Sequence, residues 1–209
     1  MYKIAENTNL INDARKLCSE FMKELEHELK YEYCISSQVS LIGSAKRKLI
    51  TYNGKNHSFD FDYNLKVYDG MDYEPFYLKD TVRMAFNNIL RNHNLYNVEN
   101  STSSLTSKCI KFYNHPDAPF RIDLAIITER DDHIHRLIYD KPRNRMIWNQ
   151  ATDISKLKEK EQLLKKSLWN EVRDTYILKK NLHIDDEEHY PSFKCYIEAV
   201  NEVFYKHFN

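Results

Sequence analysis

The feature that most constrains this chain is the run Phe59-Asp60-Phe61-Asp62-Tyr63, where rings and carboxylates alternate without a break. A period of two belongs to a strand, whose successive side chains point to opposite faces. The aromatic rings then face a core, and both carboxylates face away from it. Residues two apart on a strand stand about 6.5–7 Å apart at the backbone. Like charges that close raise each other's pKa unless a cation neutralises them. Such a face is either a solvated sheet surface or a cation site.

The surroundings favour the second reading. Upstream, an apolar strand spanning 34–42 stops at Gly43-Ser44, and Lys46, Arg47 and Lys48 follow directly. A strand end followed by glycine lets backbone N–H groups approach an anion closely, and the serine hydroxyl adds a donor. Only three glycines occur in the chain, so each marks a place where the backbone needs one. Downstream, the segment 119–128 repeats the alternation. Phe120, Ile122, Leu124 and Ile126 face one way, and Arg121, Asp123, Ala125 and Ile127 the other. Asp123, set between Ile122 and Leu124, is expected to be half-buried and to require a cation or an arginine beside it. Arg121, on the same face, competes for that place.

Coarse periodicity supplies the frame. An amphipathic helix is expected over 8–29, with Leu10, Ala14, Leu17, Phe21 and Leu25 on one stripe, and a second over 77–92. Residues 47–53 and 58–68 flank Asn53-Gly54, a hairpin signal. Strands 107–113 and 119–128 are expected to join across His115-Pro116-Asp117. A short hairpin is expected over 133–149, followed by helices over about 153–180 and 191–207, the last opened by Pro191. The expected class is α+β: a mixed, twisted sheet with flanking helices and a helical C-terminal unit. The expected division is a core over 1–135 and the helical unit over 136–209.

Hard carboxylate oxygens suit Mg²⁺ or Mn²⁺, which keep open positions for phosphate oxygens. Asp60, Asp62 and Asp123 together could hold a pair of such ions about 3.5–4 Å apart, the arrangement used in phosphoryl transfer. In order along the chain, Gly43-Ser44, Asp60-Phe61-Asp62-Tyr63 and Ile122-Asp123-Leu124 resemble the signature of the DNA polymerase β-like nucleotidyltransferase superfamily. The resemblance covers residues 33–128. It implies Mg²⁺ or Mn²⁺, a nucleoside triphosphate donor, and transfer of a nucleotidyl group to a hydroxyl acceptor. It assigns Asp60, Asp62 and Asp123 as metal-holding catalytic residues, and Gly43, Ser44 and Lys46 as the donor's phosphate contacts. Two departures stand out. The spacer from Ala45 to Phe59 is slightly longer than common, and RKLITY reads as a strand where many members have a short helix.

Other features carry less. His133 and His135 form an H-x-H without a clear third ligand. The run 156–166, KLKEKEQLLKK, mixes signs at the spacing of a solvated helix face. Trp169, Tyr176 and Tyr196 read as core, and Asp131-Asp132 and the acidic run 185–188 as inert loops. The four cysteines lie far apart with no CxxC, against a zinc knuckle or a disulfide framework. No basic leader precedes an apolar core, and no window approaches the ~18 apolar residues of a membrane span. A cytoplasmic location is the expectation. Basic and acidic residues balance at 31 each, so no bulk field recruits a long nucleic acid. The acceptor stays open among an RNA end, a protein side chain, a small molecule and a second nucleotide. The competing reading is an inactive nucleotide-binding or antitoxin-like partner module on the same fold.

Overall fold

The computed structural model describes residues 1–6, 8–54, 57–184 and 190–208. The chain divides into two compact units, each taken by itself below. The larger comprises Glu6–Ile50 and His57–Ala151; the smaller comprises Met1–Ala5, Thr51–Asn56 and Thr152–Asn209.

In the smaller unit a short strand, β1 (Tyr2–Ile4), is the chain's first element. The larger unit starts with α1 (Thr8–Glu32), followed by β2 (Ser37–Leu41) and a five-residue helix, α2 (Gly43–Arg47). Strand β3 (Thr51–Asn53) belongs to the smaller unit, and β4 (Phe59–Val67) to the larger. Then come α3 (Pro75–Asn92), the short strands β5 (Glu99–Asn100), β6 (Leu105–Thr106) and β7 (Ile110–Phe112), the long β8 (His115–Arg130), and a hairpin of β9 (His133–Asp140) and β10 (Arg145–Gln150).

The eight-stranded sheet runs β10-β9-β8-β4-β2, with β6 and β7 also pairing β8 and β5 pairing β6. Strands β4 and β8 are parallel; the other pairs are antiparallel. A parallel pair needs a long crossover, and α3 lies in the connection from β4 to β8. The period-two pattern sorts the faces as the sequence requires. Phe59, Phe61, Tyr63, Leu65 and Val67 of β4 are buried, as are Phe120, Ile122, Leu124 and Ile126 of β8. Phe61 is fully enclosed, edge-on to Phe59 and Phe120 at centroid distances of 5.7 and 5.9 Å. Helices α1 and α3 contact one another, and α1 also contacts β2 and β8. Their apolar stripes, including Phe21, Leu25, Val82 and Phe86, are buried.

The smaller unit pairs β1 with β3 and adds three helices: α4 (Ser155–Leu164), α5 (Trp169–Leu182) and α6 (Ser192–Phe208). Leu164, Val172, Tyr176, Tyr196, Ala199, Val200 and Val203 form its core. Asn181 ties α5 to β1 by accepting from Tyr2 N (2.6 Å) and donating to Tyr2 O (3.1 Å).

Four local expectations change. RKLITY is not one strand: α2 occupies its start, Lys48 ends the helix in the left-handed region, and only Thr51–Asn53 is extended. Ala45 and Leu49 are buried four residues apart, a helical spacing. Asn53-Gly54 does not close a hairpin from β3 to β4. Strand β3 pairs with β1, and Gly54 N donates to Met1 O, so a partner distant in sequence outcompetes the local turn signal. The turn after β7 falls at Tyr113-Asn114, and His115-Pro116-Asp117 already belongs to β8. The helix expected over 153–180 breaks at 165–168, a stretch that includes the weak helix former Ser167. The acidic run 185–188 lies outside the described residues.

Candidate active site

The polar face of the sheet gathers around one rung. Asp62 on β4 stands directly opposite Asp123 on β8, and Thr106 on β6 stands opposite Asp123 on the far side. The three side chains therefore form a row across three strands. One pleat repeat back, Asp60 faces Arg121 in register. Asp62 and Asp123 are half-buried, whereas Asp60 is exposed.

Gly43 closes on this row from the end of β2. Ile42 N donates to Asp62 O at 2.8 Å, extending the β2–β4 ladder to the start of α2. Gly43 has φ +67°, and a Cβ there would sit 1.9 Å from Asp62 Oδ2. Both the backbone angle and the approach demand glycine. Ser44 lies in the first turn of α2, whose carbonyl at Ser44 accepts from Leu49 N at 2.8 Å. Lys46 is exposed, and no hydrogen bond or ion pair among the described residues ties it to the carboxylates. Gly43, Asp62 and Asp123 are thus drawn together, with Asp60 and Ser44 beside them and Lys46 outside.

The electrostatics follow from the packing. Burial pushes the Asp62 carboxyl up to about 6, and the charges of Asp123 and Asp60 add to the rise. Arg47 and Arg136 oppose it. Arg47 is anchored by a hydrogen bond from Nη1 to Gly43 O at 3.2 Å. Arg136, on β9, pairs with Ile127, which lies on the same face of β8 as Asp123. Asp123 Oδ1 accepts from the Thr106 hydroxyl. Arg121 Nε donates to Cys109 Sγ at 3.2 Å, while its charge still acts on Asp60 and Asp123.

Thr106 and Arg136 escape a sequence reading, because each reaches the row only through strand register. Arg47 is visible in sequence as one cation among three, and only its anchoring on Gly43 distinguishes it. His133 and His135 lie on β9, where His135 Nδ1 is 3.2 Å from His133 O.

The donor set is right for a hard divalent cation: oxygen only, on a polar face, with a desolvated carboxylate whose charged form a cation would favour. Among the described residues, however, no group of three His, Cys, Asp or Glu side chains closes on a single point. What is assembled is the Asp62–Asp123 pair with Asp60 adjacent. No helix among the described residues is long and apolar enough to cross a membrane.

No family model matches the sequence, and no curated protein matches it. Solved structures do match. CdnC of E. coli MS115-1 with ATP aligns at a TM-score of 0.61 with 15% identity, over 97% of this chain and 61% of that one. The cyclic dinucleotide synthase CdnE of Elizabethkingia meningoseptica, with GTP and Apcpp, aligns at 0.56 and 15% identity, over 90% and 68%. GTP-bound DncV of Vibrio cholerae aligns at 0.55 and 11% identity, over 80% of this chain and 45% of that one. The chain thus spans about three-fifths of CdnC and less than half of DncV. The chain therefore shares the fold of these nucleotide-bound structures, a mixed, twisted sheet with flanking helices.

Proposed function

We propose that the chain transfers a nucleotidyl group from a nucleoside triphosphate to a hydroxyl, with a second nucleotide as the acceptor. The observation that carries the reading is the row Gly43–Asp62–Asp123, in which a glycine is packed so tightly on a carboxylate that no side chain fits. A structural surface has no need of that approach; a phosphate entering beside a metal-held carboxylate does. The acceptor is drawn from the fold likeness to cyclic dinucleotide synthases.

In this reading Asp60, Asp62 and Asp123 hold Mg²⁺ or Mn²⁺. The bound ions supply charge neutralisation on the triphosphate and lower the pKa of the attacking hydroxyl. Gly43 and Ser44 receive the donor phosphates, Arg47 adds a fixed cation beside them, and Lys46 contributes from solvent. Thr106 donates to Asp123 Oδ1 and fixes that carboxylate, which leaves Oδ2 for the cation, and the acceptor's proton passes to solvent. The hydroxyl oxygen bonds to the α-phosphorus while the bond to pyrophosphate breaks.

Calorimetric titration with Mg²⁺ and a non-hydrolysable triphosphate tests the donor site. Saturable binding that Asp60→Asn abolishes without unfolding the protein is expected. Absence of binding at millimolar nucleotide overturns the reading. Binding without turnover of any natural triphosphate would leave the inactive-module alternative standing instead.

A further inference from the structure

A cleft of about 420 Å³ lies at the opposite end of the β2–β4 pair from the aspartates, lined by Glu26, His27, Lys30, Tyr31, Ser36, Ser37 and Tyr68. Its size falls within the roughly 300–1,000 Å³ of small-molecule sites. Ser37 pairs with Val67, five residues beyond Asp62 on β4. That distance along the strand is roughly 17 Å, so the cleft is separate from the row described above.

Two tyrosines dominate its lining. Tyr31 is 61% exposed and Tyr68 is 44% exposed, although each ring is large enough to be worth burying. The His27 ring lies 4.4 Å from the Tyr31 ring, and the Lys30 ammonium lies 5.2 Å from the same ring. The Tyr68 hydroxyl donates to Gln38 Oε1 at 3.3 Å, and Tyr68 N donates to Ser36 O at 3.0 Å, fixing that residue against the sheet. Glu26 Oε1 accepts from Val39 N, which holds its carboxylate at the rim. The Ser37 hydroxyl oxygen is shielded from solvent and has no hydrogen-bond partner among the described residues.

We propose that this cleft binds a mononucleotide, with its base against Tyr31 and Tyr68 and its phosphate toward Lys30 and His27. Two aromatic rings provide stacking for a flat base, which is sequence-tolerant and strong. The Glu26 carboxylate, with Oε1 held by Val39 N, offers its other oxygen as an acceptor for the base edge. The cation beside Tyr31 supplies the complement to a phosphate. The site stands independently of any role for the aspartates, and a nucleotide held there would act as an effector rather than a donor.

The test is calorimetric titration of AMP and GMP into the intact chain in EDTA, which removes divalent cations from the aspartates. Saturable binding is expected, unchanged in Asp123→Asn and weakened about tenfold by Tyr31→Ala or Tyr68→Ala. Tyr31→Phe should retain affinity, because stacking survives loss of the hydroxyl. Both tyrosines are exposed, so the variants are expected to fold, and circular dichroism checks this. The proposal is overturned if neither nucleotide saturates, if the alanine variants bind as the parent does, or if inorganic phosphate alone reproduces the binding. An effect confined to Asp123→Asn would also overturn it, by placing the nucleotide at the aspartates.

Discussion

At the residue scale, two positions carry the site. Gly43→Ala would place a methyl 1.9 Å from Asp62 Oδ2 at a backbone angle of +67°. The left-handed conformation alone costs roughly 1–2 kcal/mol for a residue with a Cβ, and the clash displaces the carboxylate. Chemical denaturation should show at least that loss, and nucleotidyl transfer should be abolished. Full activity in Gly43→Ala would contradict the close approach. Asp62 gives a prediction of opposite sense. Its carboxyl is raised from 3.8 to about 6 in the folded protein, so the native state binds more protons than the unfolded chain between those values. Stability contributed by the protonated form is therefore present at low pH and is lost as pH rises through about 6. At neutral pH without divalent cations, Asp62→Asn should be more stable than the parent by about 2–3 kcal/mol, and should lack this pH dependence. Denaturation curves at pH 4 and pH 7 in EDTA measure it, and equal slopes in the two proteins would refute it.

At the element scale, β4 depends on its buried face as much as on its open one. Phe61 is enclosed between Phe59 and Phe120, directly behind Asp60 and Asp62. Phe61→Ala should cost about 3–5 kcal/mol, while Phe61→Leu costs less. Helix α3 is capped by Glu74, whose carboxylate accepts from Phe76 N at 3.1 Å and Tyr77 N at 2.6 Å ahead of Pro75. Glu74→Ala should lower stability by about 1 kcal/mol, read by thermal unfolding. These elements also show what a sequence can and cannot reveal. Alternation in β4 and β8 is legible because each strand has one buried face, and the order of the aspartates along the chain adds specificity. The pairing of β3 with β1 is illegible, because Asn53-Gly54 signals only the local turn and not which strand takes the other side. Helix α2 is hidden for a related reason: five residues are too few for periodicity to outweigh the β-prone Leu49-Ile50-Thr51-Tyr52. Thr106 and Arg136 become part of the site only once register is known, since nothing in LTS or HRL marks them.

At the scale of the whole molecule, the chain shares its fold with CdnC while spanning about three-fifths of it. A donor triphosphate with Mg²⁺ should bind the native state alone and raise the unfolding midpoint in proportion to the logarithm of ligand concentration. The increase should vanish in Asp60→Asn, and a triphosphate that leaves the parent's midpoint unmoved would count against the donor site. The most direct test is turnover itself. The purified chain, Mg²⁺ or Mn²⁺, and ATP, GTP, CTP and UTP singly and in pairs are incubated, and products are resolved by mass spectrometry with pyrophosphate measured in parallel. Linear or cyclic dinucleotides released with matching pyrophosphate are expected, reduced about a thousandfold or more in Asp62→Asn and Asp123→Asn. Pyrophosphate release that these variants leave intact, or no nucleotide linkage with any pair of triphosphates, would contradict it.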